Sequence, residues 1–567
     1  MNILDENLFG SFGPVSTTVW EAQVLTALKG ADYEKKLITT TSDGLRRKPF
    51  YRAEDLPSWM HNGDAGLVHR KGRSKMAKIR QDFFITDPAK SNAQLLTALK
   101  EDVEEIGLWF PASPTSDALV KLLEGVWIDA LPLHFGLSET VPLLTALEKL
   151  GHTPEQLKGT WLGKTSAGFQ FPNLKTGKLD GLFARERGAT PVLELAILLG
   201  SLSDALASEV MLENLFIHTG IGSDYFSEMA KLRALMRLLP MLFEAYQTSE
   251  YAIPIAAFSL KRNKTTRDRH SNLLRLTTEC MSAIFGGADS ISLPRFDFFD
   301  PEGSDLALRL SRNIQHILRH ESHLSRVQDP AAGSYYIEWL THSLAEKAWT
   351  LFQKIESGGG LAQSTNMVEG WIQQAGESEK SAASSGKRVL LGTNTFPNLI
   401  EKWPTQTADS FALSATLDQL RKEAIERDIR CRFTLVRFGS SAMATARGVF
   451  AGNMVGCGPF EVTESPLLND KTAALEYVAK EQVDIVVLCS TDEQYDGLTM
   501  EDLNNLKATT KRVIIAGKSS QEQALLEQGV DFLRLGKNGL SEALIFAKNG
   551  PLSLNLTDAL THWSKIC

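Results

Sequence analysis

A short stretch near the C-terminus, Phe433–Gly448, has the residue order of a ligand-binding loop. An apolar run opens it, Gly439 and two serines follow, and then come residues typical of a helix start. In an open α/β sheet, a strand, a loop of small residues and a helix N-terminus form a crevice where ligands bind. This loop contains no acid, histidine or lysine. It therefore lacks the groups that a catalytic or metal-binding version would use.

Two further groups of residues have chemistry-bearing types at suggestive spacings. Thr219–Asp224, TGIGSD, follows an apolar run and precedes a helical pattern, so it could cradle a phosphate. It lacks the full GxGxxG, and a tight β–α turn is the favoured interpretation. His316 and His320 lie at i, i+4 near His323 and Glu321, a spacing at which two histidines could share a metal. The run does not match HExxH, so the polar end of an amphipathic helix is favoured.

Two basic clusters have the charge to hold a phosphorylated ligand or an acidic partner surface. They are His69–Arg80 and Lys261–His270, and the second contains five lysines or arginines. Such clusters attract phosphate groups and acidic surfaces. A solvated loop is the alternative, and the sequence leaves both interpretations open.

Composition describes a large soluble protein. The chain has 567 residues, 43% of them hydrophobic and 23% charged, with a net charge of −8. That length predicts at least two domains, and the acidic balance argues against nucleic-acid binding. The five scattered cysteines include no CxxC pair, which predicts neither a disulfide framework nor a zinc site. We find no signal-peptide pattern and no membrane-length apolar run, so we expect a cytoplasmic protein.

Hydrophobic patterning predicts an α/β fold in four parts. Residues 1–60 form an arm with one short amphipathic helix, which packs either on a neighbour or on its own domain. Repeated β–α units over 61–372 predict a (β/α)8 TIM-type barrel, and 373–430 reads as a linker and belt. Clean alternation over 431–567 predicts a flavodoxin-like doubly wound parallel sheet.

One segment carries a family signature. Arg312–Trp349 contains RNIQ, ES and DPAAGSYY, and it resembles the methylmalonyl-CoA mutase family, whose members carry Arg-Asn-x-Gln, Glu-Ser and Asp-Pro-x-Gly-Gly-Ser-Tyr there. The resemblance runs in the family's order through KIRQDFF, ERGATPVLELAILLG, FIHTGIGSDYFSEMAKLRA and HSNLLRLTTECMSAIFGGADSI, and the arm matches as well. It implies a barrel for acyl-CoA followed by a cobalamin-binding domain.

The departures from the family pattern fall on its reactive residues. Catalytic members have Asp-x-His-x-x-Gly after the first strand of the cobalamin domain, where the histidine ligates cobalt and the aspartate and a preceding lysine support it. Here the lysine, aspartate, histidine and glycine positions hold Arg437, Ser441, Met443 and Ala446. In the barrel, DGLFARERG places Phe183 at a family histidine position. A thioether is a poor substitute for imidazole on cobalt(III).

These departures imply a chain without catalytic, cofactor-binding or metal-ligating residues of its own. The resemblance is strongest to the small, non-catalytic subunits of the family's heterodimeric isomerases. It implies a large catalytic subunit as partner, which would hold adenosylcobalamin, bind acyl-CoA and interconvert methylmalonyl-CoA and succinyl-CoA in propionate metabolism. Nucleic acid and membrane are not expected as partners. The alternatives are an autonomous acyl-CoA mutase with an atypical cobalamin site, and a non-enzymatic corrinoid or acyl-CoA binding protein.

Overall fold

Two parallel sheets covered by helices dominate the molecule, so the predicted α/β class is confirmed. The structure is a computed structural model of the chain. It describes residues 13, 15–58, 60, 76–163, 169–301, 303–401, 410–428, 431–481, 483–533, 544–545, 553–554 and 556–566. Within these ranges, no helix combines the length and the apolar character needed to span a membrane.

The larger sheet forms the predicted barrel. Its strands, in chain order, are β3 (Lys78–Phe84), β4 (Glu105–Trp109), β5 (Leu133–Gly136), β6 (Gly159–Trp161), β7 (Leu174–Lys175), β8 (Gly177–Asp180), β9 (Leu215–Ile221), β10 (Ile255–Ser259) and β11 (Ser290–Ser292). They are parallel in the order β7-β6-β5-β4-β3-β11-β10-β9-β8. The two end strands, β7 and β8, are separated in the chain only by Thr176, so together they make one fifth barrel strand. The sheet therefore closes through the continuity of the chain.

Helices surround this barrel where the apolar periodicity predicts them. They are α3 (Pro88–Lys100), α4 (Ser116–Leu123), α5 (Val141–Leu150), α6 (Gly181–Arg187), α7 (Pro191–Ala207), α8 (Tyr225–Ala245), α9 (Ser271–Gly286), α10 (Asp305–His316), α11 (Tyr335–Ser357) and α12 (Thr365–Ser384). Their starts follow capping rules: Thr190 accepts from the backbone nitrogen of Leu193, and Pro191 occupies the first helical position. Residues 373–384 are helical rather than an open linker, while the domain boundaries stay a prediction.

The first part of the arm contains a helix that buries none of its residues. Helices α1 (Thr17–Ala27) and α2 (Tyr33–Leu37) precede a two-stranded ribbon, β1 (Thr39–Thr40) with β2 (Arg46–Arg47). Ser16 caps α1 as predicted. The predicted amphipathic character is wrong, because the apolar side chains of α1 point in all directions around its axis and none of them is buried.

The later part of the arm packs on its own barrel. Leu45 and Tyr51 are buried. Arg47 pairs with Asp224 at the start of α8, and the ring of Tyr51 lies 5.0 Å from that of Tyr336 on α11. The later half of the arm therefore packs on its own domain, and packing of the first half on a neighbour stays a prediction.

The second sheet has the strand order of a flavodoxin-like domain. Its strands are β12 (Arg432–Arg437), β13 (Glu461–Glu464), β14 (Ile485–Cys489), β15 (Arg512–Ala516), β16 (Asp531–Leu533), β17 (Leu544–Ile545) and β18 (Ser553–Leu554). The order β13-β12-β14-β15-β16 is parallel, and β17 and β18 continue it antiparallel. The helices of this region are α13 (Ala415–Glu426), α14 (Ser441–Val455), α15 (Lys471–Lys480), α16 (Asp492–Asp496), α17 (Met500–Thr509), α18 (Glu522–Glu527) and α19 (Leu556–Ile566). Apolar clusters on both faces bury the sheet.

Candidate functional site

The candidate crevice of the second sheet lies between β12 and β14, where the strand order reverses. Helix α14 begins at Ser441, so Ser441 and Met443 lie in its first turn and are exposed there. The preceding turn depends on Gly439, which has a φ of +75°. A Cβ at Gly439 would lie 3.2 Å from Ser490 Oγ, so the turn packs closely against the end of β14.

A single long side chain covers the strand ends on the β14 side of this crevice. Arg447, on the second turn of α14, donates to the main-chain oxygen of Ser490 and, over 2.6 Å, to Asp492. Its guanidinium carbon lies 5.3 Å from the centre of the Tyr495 ring. A Cβ on Gly517 would collide with the same guanidinium, which therefore also covers the end of β15. The carboxyl ends of β14 and β15 are covered by Arg447.

Beneath Arg447, a buried phenol fixes the strand ends. Tyr495 accepts from the backbone nitrogen of Ser490 at 2.6 Å and donates to the main-chain oxygen of Ala516 at 2.9 Å. Burial raises the pKa of Tyr495, so the group stays a neutral hydroxyl. Ser490 in turn donates to the main-chain oxygen of Phe438 at 2.7 Å. The edge of the crevice is thus a closed set of hydrogen bonds.

The remaining family positions of this loop offer no ligand. Arg437 donates to the main-chain oxygen of Ser465 at 2.7 Å and lies 3.4 Å from Glu464, so it is tied to the end of β13. Met443 is 42% exposed, and Ala446 is also exposed on α14. These residues stand near one another in the chain, but they do not converge on one point.

At the mouth of the barrel, Phe183 projects outward. It lies in the first turn of α6, where Asp180 accepts from its backbone nitrogen at 3.1 Å. The ring is 61% exposed and lies 5.2 Å from the guanidinium carbon of Arg187. Arg187 pairs with Glu369 on α12. The ring therefore offers an apolar surface and no proton donor.

The interior of the barrel is packed with charged side chains. Arg80 donates to Asp82 at 2.8 Å, and Trp109 Nε1 donates to the same carboxylate at 2.7 Å. Burial opposes the charge on Asp82, but Arg80 and the hydrogen bonds outweigh it and hold the pKa of Asp82 well below its usual range. Gly107 faces this pair, because a Cβ there would collide with Asp82.

A second buried pair lies beside the first. His134 Nδ1 is 2.9 Å from Thr160 Oγ1 and its Nε2 is 3.3 Å from Glu105. Burial disfavours the carboxylate, yet the bond to His134 and the charge of Lys78 prevail and lower the pKa of Glu105 to about 2. Burial, followed by the charge of Arg80, lowers the pKa of His134.

Another interior residue, His218, lies among aromatic rings. Its ring centre lies 4.7 Å from that of Phe258 and 5.2 Å from that of Phe216. Burial first, and then the charges of Arg80 and Lys178, lower its pKa well below the usual value, so His218 is neutral in the folded chain. Charged and aromatic side chains therefore occupy the interior, where apolar branched residues are usual.

The TGIGSD stretch, Thr219–Asp224, is a β–α turn backed by acids. The Thr219 hydroxyl and the Gly220 nitrogen both donate to Glu194, over 2.7 and 2.9 Å. Arg47 forms an ion pair with the Asp224 carboxylate. Because these donors are engaged by carboxylates, the turn does not provide a phosphate cradle.

The histidine helix makes local contacts. His316 Nε2 lies 3.0 Å from the main-chain oxygen of Glu101, and its ring centre is 5.8 Å from that of His320. Helix α10 continues here into a π-helical turn, Ile317–Glu321. Among the residues that the structure describes, no group of three or more histidines, cysteines or acids is arranged to hold a metal ion.

Most of the basic cluster Lys261–His270 points inward, so the solvated-loop interpretation is wrong for residues 262–267, while Lys261 and Arg269 are exposed and binding of a phosphorylated ligand or an acidic surface stays a prediction. Lys264 is buried with its amine 2.8 Å from Glu279. Arg267 is buried and donates to the main-chain oxygens of Gly456 and Asn398, each at 2.7 Å. Charge density alone does not reveal that these groups have internal partners. For the other cluster, His69–Arg80, residues 69–75 lie outside the described residues, and Arg80 points into the barrel.

The described cysteines are buried. Cys280, Cys457 and Cys489 are free thiols, and burial raises their pKa values to about 12, about 11 and about 12. Cys431, which directly precedes β12, is disulfide-bonded, whereas the scattered cysteines predict no disulfide. Burial of the free thiols leaves them unreactive as nucleophiles.

The fold defines a class: an α/β protein with a parallel barrel followed by a flavodoxin-like parallel sheet. Residues 167–437 match the family model described as methylmalonyl-CoA mutase. The chain is 29% identical to the methylmalonyl-CoA mutase small subunit of Porphyromonas gingivalis, covering 86% of this chain and 90% of that protein. It is 28% identical to the methylmalonyl-CoA mutase small subunit of Streptomyces virginiae, and that match covers 87% of this chain and 89% of that protein.

A further relative matches a shorter part of the chain. The methylmalonyl-CoA mutase of Rhizobium meliloti is 30% identical over 240 residues, which cover 40% of this chain and 34% of that protein. As its sequence motifs predict, the chain is similar to the methylmalonyl-CoA mutase family, and it resembles the small subunits over most of its length.

Proposed function

We propose that this chain is the small subunit of a heterodimeric, adenosylcobalamin-dependent methylmalonyl-CoA mutase and that it performs no chemistry itself. The large subunit would hold the cofactor and interconvert methylmalonyl-CoA and succinyl-CoA. This chain would dimerise with the large subunit and stabilise it. The observation that carries the proposal is Arg447, which covers the strand ends beside the crevice where the family resemblance implies cobalamin.

The residues at the crevice do not fit adenosylcobalamin. A cobalt ligand from below would have to come from Met443, which is a thioether on an exposed helical turn. Ser441 carries no charge to orient such a ligand, and Arg437 is tied to Ser465. A corrinoid would also have to displace Arg447 from Asp492. We therefore assign no step of the reaction to this chain.

The barrel supports the same conclusion for the substrate. An acyl-CoA lying along the barrel axis would have to separate the buried Arg80 from the partly exposed Asp82, or break the buried Glu105–His134 pair. Breaking a buried ion pair costs about 3–5 kcal/mol. At the mouth, Phe183 cannot donate a proton or a hydrogen bond to a thioester carbonyl. The barrel is better suited to a scaffold than to catalysis.

The exposed half of the arm is one candidate contact with the large subunit. Val15, Val19 and Leu25 on or beside α1 are each more than half exposed. Burying such a side chain stabilises a contact by about 1.5–3 kcal/mol before ordering costs. Deleting residues 1–40 should weaken the heterodimer in analytical ultracentrifugation. The truncated chain should still fold, because the anchors Leu45 and Tyr51 remain. Unchanged affinity would place the contact elsewhere.

The direct test of the function is reconstitution. The chain and the large subunit would be purified separately and mixed with adenosylcobalamin and methylmalonyl-CoA. We expect the chain alone to form no succinyl-CoA and the complex to be active. Turnover by the chain alone would identify an autonomous mutase and overturn the proposal. If the two purified chains form no complex, the large subunit is not the partner of this chain and the proposal fails.

A further inference from the structure

The segment Val389–Glu401, here termed the belt, runs between the barrel and the second sheet with its backbone held by arginines. Three buried or half-buried guanidinium groups, from the loop after β10, from α9 and from α13, donate to its carbonyl oxygens. The bonds are Arg267 to Asn398 at 2.7 Å, Arg275 to Leu391 at 2.8 Å and Arg421 to Thr393 at 2.7 Å. Charged donors make strong hydrogen bonds, so this backbone is fixed on both sides.

Two backbone conformations show how closely the belt is held. Gly392 has a φ of +78°, and a Cβ there would lie 2.6 Å from Cβ of Asp268. Phe396 has a φ of +50°. The left-handed region is unfavourable for an aromatic residue and persists only where the surroundings impose it. The belt therefore has one defined shape before anything binds to it.

The apolar side chains of this fixed backbone point outward. Ile400 is 93% exposed and Phe396 is 62% exposed. Exposed apolar residues on the flanking helices α9 and α14 extend the surface across both domains. Together they form the belt ridge, which consists of Leu274, Val389, Leu391, Phe396, Leu399, Ile400 and Val449.

Contacts on both sides make the ridge continuous. On the barrel side, Arg275 follows Leu274 directly and bonds to the carbonyl of Leu391. On the other side, Leu399 packs against the end of α14 at Gly456. Val449 lies seven residues before Gly456, on the same face of that helix. The ridge is thus one surface made from three segments.

The size and charge of the ridge indicate what covers it. Apolar patches of more than a few hundred Å² usually mark an interaction site, and a stable subunit contact buries about 800 Å² on each partner. Seven largely exposed side chains supply the apolar centre of such a contact. Two copies of this chain, each with a net charge of −8, would repel each other. Lys387 borders the ridge and favours a partner with an acidic residue at the matching edge, whereas the neighbouring Arg388 is already paired with Glu379.

We propose that the belt ridge is a docking surface for the large subunit, separate from the arm. This inference rests on the proposed function, because it takes the partner from there. Since the backbone is already held, little conformational freedom is lost when the ridge is covered. Phe396 and Ile400 are its most prominent side chains, and we expect them to contribute most to the contact.

A double variant tests the ridge without disturbing the fold. Phe396→Asn with Ile400→Ser removes two exposed apolar side chains, and asparagine tolerates the left-handed φ at position 396 better than phenylalanine does. The control is Trp127→Ser, which removes a side chain that is 77% exposed outside the ridge. We expect the Kd for the purified large subunit, measured by analytical ultracentrifugation, to rise at least tenfold in the double variant. The melting temperature should stay at the wild-type value, and the control should bind normally.

Each other outcome is decisive. If the wild-type chain binds the large subunit and the double variant binds equally well, the ridge is not the docking surface, while the proposed function stands. If the wild-type chain forms no complex, the proposed function fails and the ridge proposal fails with it. If the wild-type chain self-associates and the double variant abolishes that association, the occupant is a second copy, and the proposal is overturned.

Discussion

The barrel interior and the edge of the second sheet are both lined by polar side chains that bond within the chain, but in different ways. In the barrel, Arg80 pairs with Asp82 along β3 and His134 bonds to Glu105 across neighbouring strands, and all of them except the partly exposed Asp82 are buried. In the crevice, the single side chain of Arg447 covers the strand ends from a helix at the edge. Removing one barrel residue leaves a buried charge without its partner, whereas removing Arg447 leaves partners that water can reach.

Under the proposed function, this difference predicts which departure from the catalytic family pattern is easier to reverse. One substitution at Arg447 should uncover the ends of β14 and β15. The paired charges of the barrel should need several concerted changes, since we expect each single change to be strongly destabilising. The proposal therefore makes the barrel the firmer obstacle to catalysis.

The largest expected effect is that of Asp82→Ala. It leaves Arg80 buried without its carboxylate, and we expect the free energy of unfolding to fall by about 3–5 kcal/mol. Denaturant unfolding followed by circular dichroism measures it. Asp117→Ala removes an exposed partner of Lys149 and should lower the free energy of unfolding far less, because exposed ion pairs contribute little to stability. Equal effects of the two substitutions would show that the barrel pair contributes little.

A smaller effect is expected from Arg447→Ala. The bonds to Asp492 and to the carbonyl of Ser490 are lost, but both groups then face solvent, so the cost should be about 1–2 kcal/mol. The same unfolding experiment compares this variant with Asp82→Ala. A loss as large as that of Asp82→Ala would remove the distinction between the two closures.

The pH dependence of stability tests the interior of the barrel. His218 is neutral when folded, because burial and the charges of Arg80 and Lys178 lower its pKa. The unfolded chain takes up a proton below about pH 6.5 and the folded chain does not, so stability falls as the pH drops. Between pH 7.5 and 5.5 the histidine accounts for about 1.3 kcal/mol of that fall.

His218→Phe should remove this share of the pH dependence. The replacement suits the neighbouring rings of Phe216 and Phe258. Substituting the exposed His323 with asparagine serves as the control, and it should not change how the free energy of unfolding depends on pH. An unchanged slope in His218→Phe would mean that His218 does not titrate in this way.

The smallest effect is expected from restoring the family's cobalt-ligand motif, which should produce no mutase activity. Ser441→Asp with Met443→His should not create mutase activity, because Phe183 and the filled barrel remain. A missing proton or hydrogen-bond donor at the reacting carbonyl costs about 3–4 kcal/mol of transition-state stabilisation. Turnover by this double variant alone, in an assay of succinyl-CoA formation, would contradict the importance given to the barrel.

The sequence predicts the fold well because its signals are local. Apolar runs such as Ile485–Cys489 and capped helices such as Pro191–Ala207 lie where the patterns predict them. The family positions Phe183, Ser441 and Met443 could also be found from motif order. Their surroundings could not, because burial and partners depend on contacts between distant segments.

Three residues that matter most were missed, and each left a weak signal. Arg80 and Asp82 are two apart in the same strand, a spacing that places both side chains on one face. Arg447 follows the small-residue loop by six positions, where a long cation can reach back over the strand ends. The basic cluster at 261–270 could not be interpreted from its charges alone. A count of charges does not show that Arg267 is buried against carbonyl oxygens.

Binding of adenosylcobalamin to the isolated chain is the most direct measurement of the central claim. The purified chain would be incubated with the cofactor at micromolar concentration, passed through a gel-filtration column and examined by visible spectroscopy. With Arg447 in the crevice and Met443 at the ligand position, we expect the protein fraction to be colourless. A corrinoid spectrum that stays with the protein would contradict the claim. It would identify a cobalamin-binding chain, active or not.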